Sequence, residues 1–193
     1  MGRYISTRLT AAPVGDANGY KTSVNMANGA YVLDANAPTS GARKVTMTRT
    51  VVNAADTPGT VTLVGTDLAG ATITEVLVPG AHTIVVTGTQ FFATLASATQ
   101  AGWVIGAAAA DTLEIGWAAE CAVATGTGVL HGVVITTTNA STVTFADATG
   151  TLFVLPNSTA VGFYEYELGY SGYLRMEPAG AYDIIAIHSP SGY

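Results

Sequence analysis

The stretch Gly126 to Pro156, GTGVLHGVVITTTNASTVTFADATGTLFVLP, decides the fold class. Leu130 to Thr136, Ser141 to Asp147 and Leu152 to Leu155 form three β-branched runs, with turn residues Asn139, Ala148, Thr149 and Gly150 between them. In the second run Val143 and Phe145 alternate with Thr142, Thr144 and Ala146, the period of two that puts Val143 and Phe145 on one face of a half-buried strand. The stretch predicts a β-meander, and with it an all-β chain. Nothing within it has the pattern of an active site.

Composition bounds what such a chain can be. Of 193 residues 49% are hydrophobic and only 10% charged, against roughly a quarter charged in an ordinary domain. So sparse a charged surface predicts extensive protein–protein contact. Six of the seven basic residues fall within the first 49 positions beside Asp16 and Asp34, so residues 1–49 carry 6 − 2 = +4 and residues 50–193 carry 1 − 11 = −10. An acidic body argues against nucleic acid as a partner, because phosphate neutralisation requires clustered Lys and Arg. The basic N-terminal region is either solvated charge or a segment that docks on an acidic surface. Cys121 is alone, which excludes an intrachain disulfide and fits a reducing compartment. With no apolar leader and no apolar run of membrane-spanning length, a cytosolic origin and no membrane partner are expected. Met1 to Ser6 matches the myristoylation pattern, but no second membrane signal follows it.

Residues 1–43 are dense in breakers: Ala12-Pro13, Gly15-Asp16, Asn18-Gly19, Asn28-Gly29 and Asn36-Ala37-Pro38 leave room only for short strands such as Tyr31-Val32-Leu33. They predict an extended arm, lying on a partner or folding back on its own domain. From Lys44 regular strands are expected over Val45–Val51, Gly59–Asp67 and Ala71–Val78 as a second meander, then His82–Thr87, Gln90–Leu95 and Asp111–Trp117. Ala107 to Ala110 offers at most one helical turn. The spacing points to two small antiparallel β-sandwich or barrel-like modules, 44–118 and 119–193, joined through residues 118–125. In Gly162 to Leu168, Glu165 and Glu167 share one strand face and Tyr164 and Tyr166 the other. The tyrosine-rich end, with Tyr170, Tyr173, Tyr182 and Tyr193, has interface composition or packs within its own module.

Thr60 to Glu75 (TVTLVGTDLAGATITE), with Gln90-Phe91-Phe92 and Leu113-Glu114-Ile115-Gly116 after it, resembles a module recurrent in tailed-bacteriophage structural proteins, over residues 45–117. Gly126 to Val134, Asp147 to Gly150 and Tyr182 to Ile187 are similar to small β modules of phage head-fibre and minor virion proteins. The resemblance implies a virion protein made in the host cytoplasm, most simply a capsid decoration or cement protein that binds the major capsid protein as a homo-oligomer, a trimer ahead of a dimer. A tail, neck or head-fibre component is the competing class, and a carbohydrate-binding or hydrolytic β domain the third.

No catalytic residue, cofactor or metal is expected. His82, His131 and His188 lack ligand-spaced partners, and a Ser-His-Asp set can be assembled from any chain this rich in Ser and Asp. Glu165 and Glu167 could hold a cation or serve paired acid chemistry, but such a pair is more often a solvated strand face. The sequons at Asn139 and Asn157 would not meet glycosylating enzymes in a cytosol. Partner binding is assigned to the arm: Arg3, Arg8, Arg43 and Lys44 for an acidic lattice, and Tyr4, Ile5, Leu9 and Tyr31 as apolar anchors.

Overall fold

The computed structural model describes residues 4–9, 14–38, 41–106, 110–138, 141–178 and 183–190. These residues form fifteen strands and no helix. The chain divides into two compact units, one of Gly15–Ala119 and one of Met1–Val14 with Glu120–Tyr193. Residues 107–109 of the expected Ala107–Ala110 turn, with Arg3, Tyr182 and Tyr193, lie outside the described residues.

The Gly15–Ala119 unit contains β2 (Asp16–Asn25), β3 (Gly29–Tyr31), β4 (Ala42–Thr50), β5 (Thr60–Thr66), β6 (Thr72–Leu77), β7 (Val85–Phe92), β8 (Thr94–Ala101) and the first part of β9 (Thr112–Thr125). One antiparallel sheet has the order β3-β8-β5-β6; in the other, β9 lies between β2 and β4, and β7 flanks β4. The expected meander of three strands is therefore a hairpin of two. β5 and β6 pair from Val61↔Leu77 to Thr66↔Thr72, whereas β4 enters the other sheet. The alternation of β5 explains its place, since Val61 and Leu63 enter the core while Thr60, Thr62 and Thr66 point away from it. That core gathers Tyr20, Met47, Phe92, Leu95, Leu113, Ile115 and Trp117 from both sheets, as in a β-sandwich.

The second unit contains β1 (Ile5–Leu9), the end of β9, β10 (Gly128–Thr137), β11 (Val143–Ala146), β12 (Thr151–Leu155), β13 (Gly162–Tyr170), β14 (Tyr173–Pro178) and β15 (Asp183–Pro190). One sheet is ordered β1-β15-β10-β13, the other β12-β11-β14-β9. The opening stretch is thus split between sheets. β11 and β12 form the expected hairpin, with Val143 and Phe145 both fully buried, but β10 pairs β13 and β15 instead. Burying β10 on the other side of the core uses both halves of the stretch: Leu130, Val133 and Ile135 meet Val143, Phe145 and Leu155 in one cluster.

The boundary between the two units, after Ala119, falls within the expected joint of residues 118–125; β9 runs through them, and Cys121, Ala122 and Val123 are buried where they approach β14. Two features depart from the expected organisation. His82 to Leu95, expected as two strands, gives β7 and the start of β8 around Ala93. The N-terminal segment supplies β1 to β3: β1 pairs β15 over Ile5↔His188 to Leu9↔Ile184, β2 pairs β9, and β3 pairs β8. Breaker residues interrupt this segment without preventing it from using the hydrogen-bonding edges of strands far along the chain.

Candidate functional site

Burial sorts the residues expected to bind a partner. Leu9, Tyr31 and Arg43 are in the interior. Arg43 donates through Nη1 to the carbonyls of Ala118 and Ala119, 3.2 and 3.0 Å away. These three are therefore corrected from surface anchors to internal ties. Arg8 forms a two-pronged contact with Asp183, from Nε at 2.9 Å and Nη2 at 2.6 Å, which holds the Asp183 carboxyl at about 2. Lys44 lies over the Phe91 ring, 5.2 Å from its centroid. Tyr4 and Ile5 remain exposed.

The aromatic positions sort likewise. Tyr164 and Tyr166 face the core as the parity requires, Tyr166 stacking on Phe153 at 4.3 Å, and Tyr170 is buried. Trp103 and Trp117, the residues a sugar-binding platform would need exposed, are in the core of the Gly15–Ala119 unit.

The chemistry-bearing cluster lies on the outward face of the β1-β15-β10-β13 sheet. Leu130 pairs with His188 and Leu168, and Gly132 with Ile187 and Glu165, so the register slips on both sides of His131. Leu130 and Val133 both point inward, hence His131 and Gly132 both point outward, the signature of a β-bulge that re-aims a side chain. Gly132 is required here: a methyl group in its place would collide with the Phe163 ring. Cross-strand register places Phe163, Val134, Ile185 and Arg8 in one row and Glu165, Gly132, Ile187 and Ser6 in the next. Beyond them His131 reaches Glu167 on one side, Nδ1 being 2.9 Å from Oε1, and Ser189 on the other, Nε2 being 2.8 Å from Oγ. The Tyr4 ring meets the imidazole edge-on, 4.7 Å between centroids.

Proton direction in this chain is fixed by its end member. An ionised carboxylate only accepts, so a neutral His131 must carry its proton on Nδ1 and donate it to Glu167. Nε2 is then an acceptor, and the Ser189 hydroxyl donates to it. The expectation that the histidines would stand apart holds for His82, which accepts from the Val51 N–H through Nδ1 at 2.9 Å. It does not hold for the other two. His188 occupies the strand beside His131, but on the inward face, where the Thr7 hydroxyl donates to the Val123 carbonyl and accepts from Nε2 of His188. Its Nδ1 is buried without a hydrogen bond. Desolvation, and secondarily the proximity of His131, depress the His188 pKa.

Sequence reasoning singled out His131 and Glu167 but paired neither with Ser189. The three come together through strand pairings spanning 36 and 58 residues, and periodicity within one strand carries no information on such pairings. Among the described residues no group of three or more His, Cys, Asp or Glu side chains is placed to hold a metal ion. No family model, curated protein or solved structure matches the chain.

Proposed function

We propose that the chain is a structural protein of a tailed-phage virion, most simply a capsid decoration or cement protein bound to the major capsid protein shell. The observation that carries this reading is the exposed apolar surface of the Gly15–Ala119 unit in a chain only 10% charged. Val76, Val78, Ile84 and Val85 on or beside β6 and β7 are each more than half exposed, as are Val32, Val52 and Val104. A contiguous patch of such side chains marks a surface that a partner covers. β6 and β7 are also the terminal strands of their sheets, and Glu75 of β6 caps the Thr89 N–H on the edge of β7.

The motif residues behind the phage resemblance have structural work in this fold. Asp67 accepts from the N–H groups of Ala69 and Ala71 and closes the β5–β6 turn. Glu75 accepts from the N–H and hydroxyl of Thr89 and so ties β6 to β7. Asp147 accepts from the N–H groups of Thr149, Gly150 and Ser171. They brace the turns and strand edges within each unit. With Leu9, Tyr31 and Arg43 internal, the anchoring surface shifts from the arm to these β6 and β7 side chains, with Tyr4 and Ile5 available at the other unit.

Co-sedimentation with capsids stripped of the chain tests the reading. Wild-type protein is expected to rebind, and the double variant Val76→Asp/Val85→Asp, altered only at exposed positions, to lose at least tenfold in occupancy. Absence of wild-type binding contradicts the function; undiminished binding of the variant moves the contact elsewhere.

A further inference from the structure

We propose that Ser189 is an activated nucleophile and that Ser189, His131 and Glu167 form an acyl-transfer site for uncharged carboxylic esters with a short apolar acyl group. The inference rests on this sheet face alone and is independent of the virion reading.

The geometry is that of a nucleophile, its base and the group that orients the base. The 2.8 Å Oγ to Nε2 contact lies within the range for direct proton transfer, and Glu167 at 2.9 Å from Nδ1 selects the tautomer with Nε2 free to receive the proton. The bulge at His131 is the device that produces this arrangement, since in regular pairing the side chain at 131 would not share its face with Gly132. The Tyr4 ring packs perpendicular to the imidazole. Beside the polar chain lie Gly132 and Ile187, and past them the apolar side chains of Phe163, Val134 and Ile185, where an acyl chain can lie across the sheet. Asp183 is neutralised by Arg8, and Glu165, beside Gly132, disfavours anionic substrates.

In the acylation step the Ser189 Oγ–carbon bond forms as the hydroxyl proton passes to Nε2 of His131. The tetrahedral adduct then breaks its bond to the leaving oxygen, which takes that proton and departs as the alcohol. Water, deprotonated by the same Nε2, attacks the acyl carbon and releases the carboxylic acid, the proton returning to Ser189. Ester and water give acid and alcohol, with no other reactant. Ser189 and His131 are the catalytic residues and Glu167 is a positioning residue. Because the face is open, solvent solvates the developing oxyanion. Turnover is therefore expected to be slow, and acylation of Ser189 is the sensitive readout.

The experiment treats the full chain with a fluorophosphonate probe and, separately, with p-nitrophenyl acetate, locating the adduct by mass spectrometry. The expected result is a single adduct on Ser189, absent in Ser189→Ala and formed about 100-fold more slowly in His131→Ala, the usual scale of general-base assistance. Glu167→Gln is expected to slow labelling at least tenfold and alter its pH profile, which a merely structural role would not do. In the wild type the labelling rate should rise with pH and level off once Nε2 is unprotonated; this check does not depend on any variant folding. No adduct on Ser189, an adduct formed equally fast in a folded His131→Ala variant, or a rate that climbs with hydroxide without levelling overturns the proposal.

Discussion

Asp111 shows how a single residue organises a loop cluster in this fold. Fully buried, it accepts from Nε of Arg49 at 2.8 Å and from the N–H groups of Val52 and Asn53 at 2.7 and 2.9 Å. Its own N–H donates to Asp56. Burial pushes its carboxyl up, but the N–H groups of Asn53 and Val52 together with Arg49 outweigh burial and hold it below the usual range. Asp111→Ala strands the Arg49 guanidinium in the interior and is expected to cost about 3 to 5 kcal/mol, measured by denaturant unfolding. The pH dependence follows from two shifts of the same direction. A carboxyl depressed in the folded state contributes stability above its unfolded value of about 3.9 and loses it as pH falls further. His188, also depressed, is protonated more readily unfolded than folded, so stability starts to fall below its unfolded pKa of about 6.5. Thermal midpoints should therefore decline in two stages on acidification. His188→Gln, which keeps a donor for Thr7, should flatten the first stage and leave the second; a wild-type midpoint constant from pH 7 to pH 5 would contradict this assignment.

At the scale of elements, β9 determines which parts of the fold a sequence reader can see. Its first part, Leu113-Glu114-Ile115-Gly116-Trp117, alternates and is legible as a strand. Its continuation through Ala118 to Thr125 lacks alternation, because Cys121, Ala122, Val123 and Ala124 are all buried, and a strand buried on successive positions reads as an apolar run. The alternations in β5, β11 and β13 gave strand faces correctly because each has one buried and one freer side. Sheet order was not legible, since nothing within Leu130 to Thr136 says that its partners are β13 and β15 and not its neighbour β11. The candidate site was half legible for that same reason. Close backbone approach adds a constraint that propensity does not report: a methyl group at Gly116 would strike the backbone of Asp16 and Ala17. Gly116→Ala is expected to destabilise by about 1 to 3 kcal/mol and to increase hydrogen exchange in β2. Exchange in β2 at the wild-type rate would show that β2 absorbs the methyl group.

For the whole molecule, a chain of sparse charge has directed much of that charge inward or into local pairs. Arg8 with Asp183, Lys21 with Asp34, Arg49 with Asp111, and Arg175 with Glu120 and Glu177 engage four of the seven basic residues within their own units. The +4 N-terminal segment is thus an internal counterion set as much as a basic face, and apolar side chains such as Val76 and Val85 stay exposed. Limited proteolysis should spare residues 118–125, whose backbone is in β9, and a first cut within them would contradict the pairing with β14. The proposed function, a protein whose apolar faces are covered in a capsid lattice, is tested most directly by a cryo-electron microscopy reconstruction of particles produced from the genome that encodes the chain. The account predicts many copies at regular lattice positions on the outer capsid, with the β6 and β7 side chains Val76 and Val85 buried against the shell. A mature particle without the chain would contradict it.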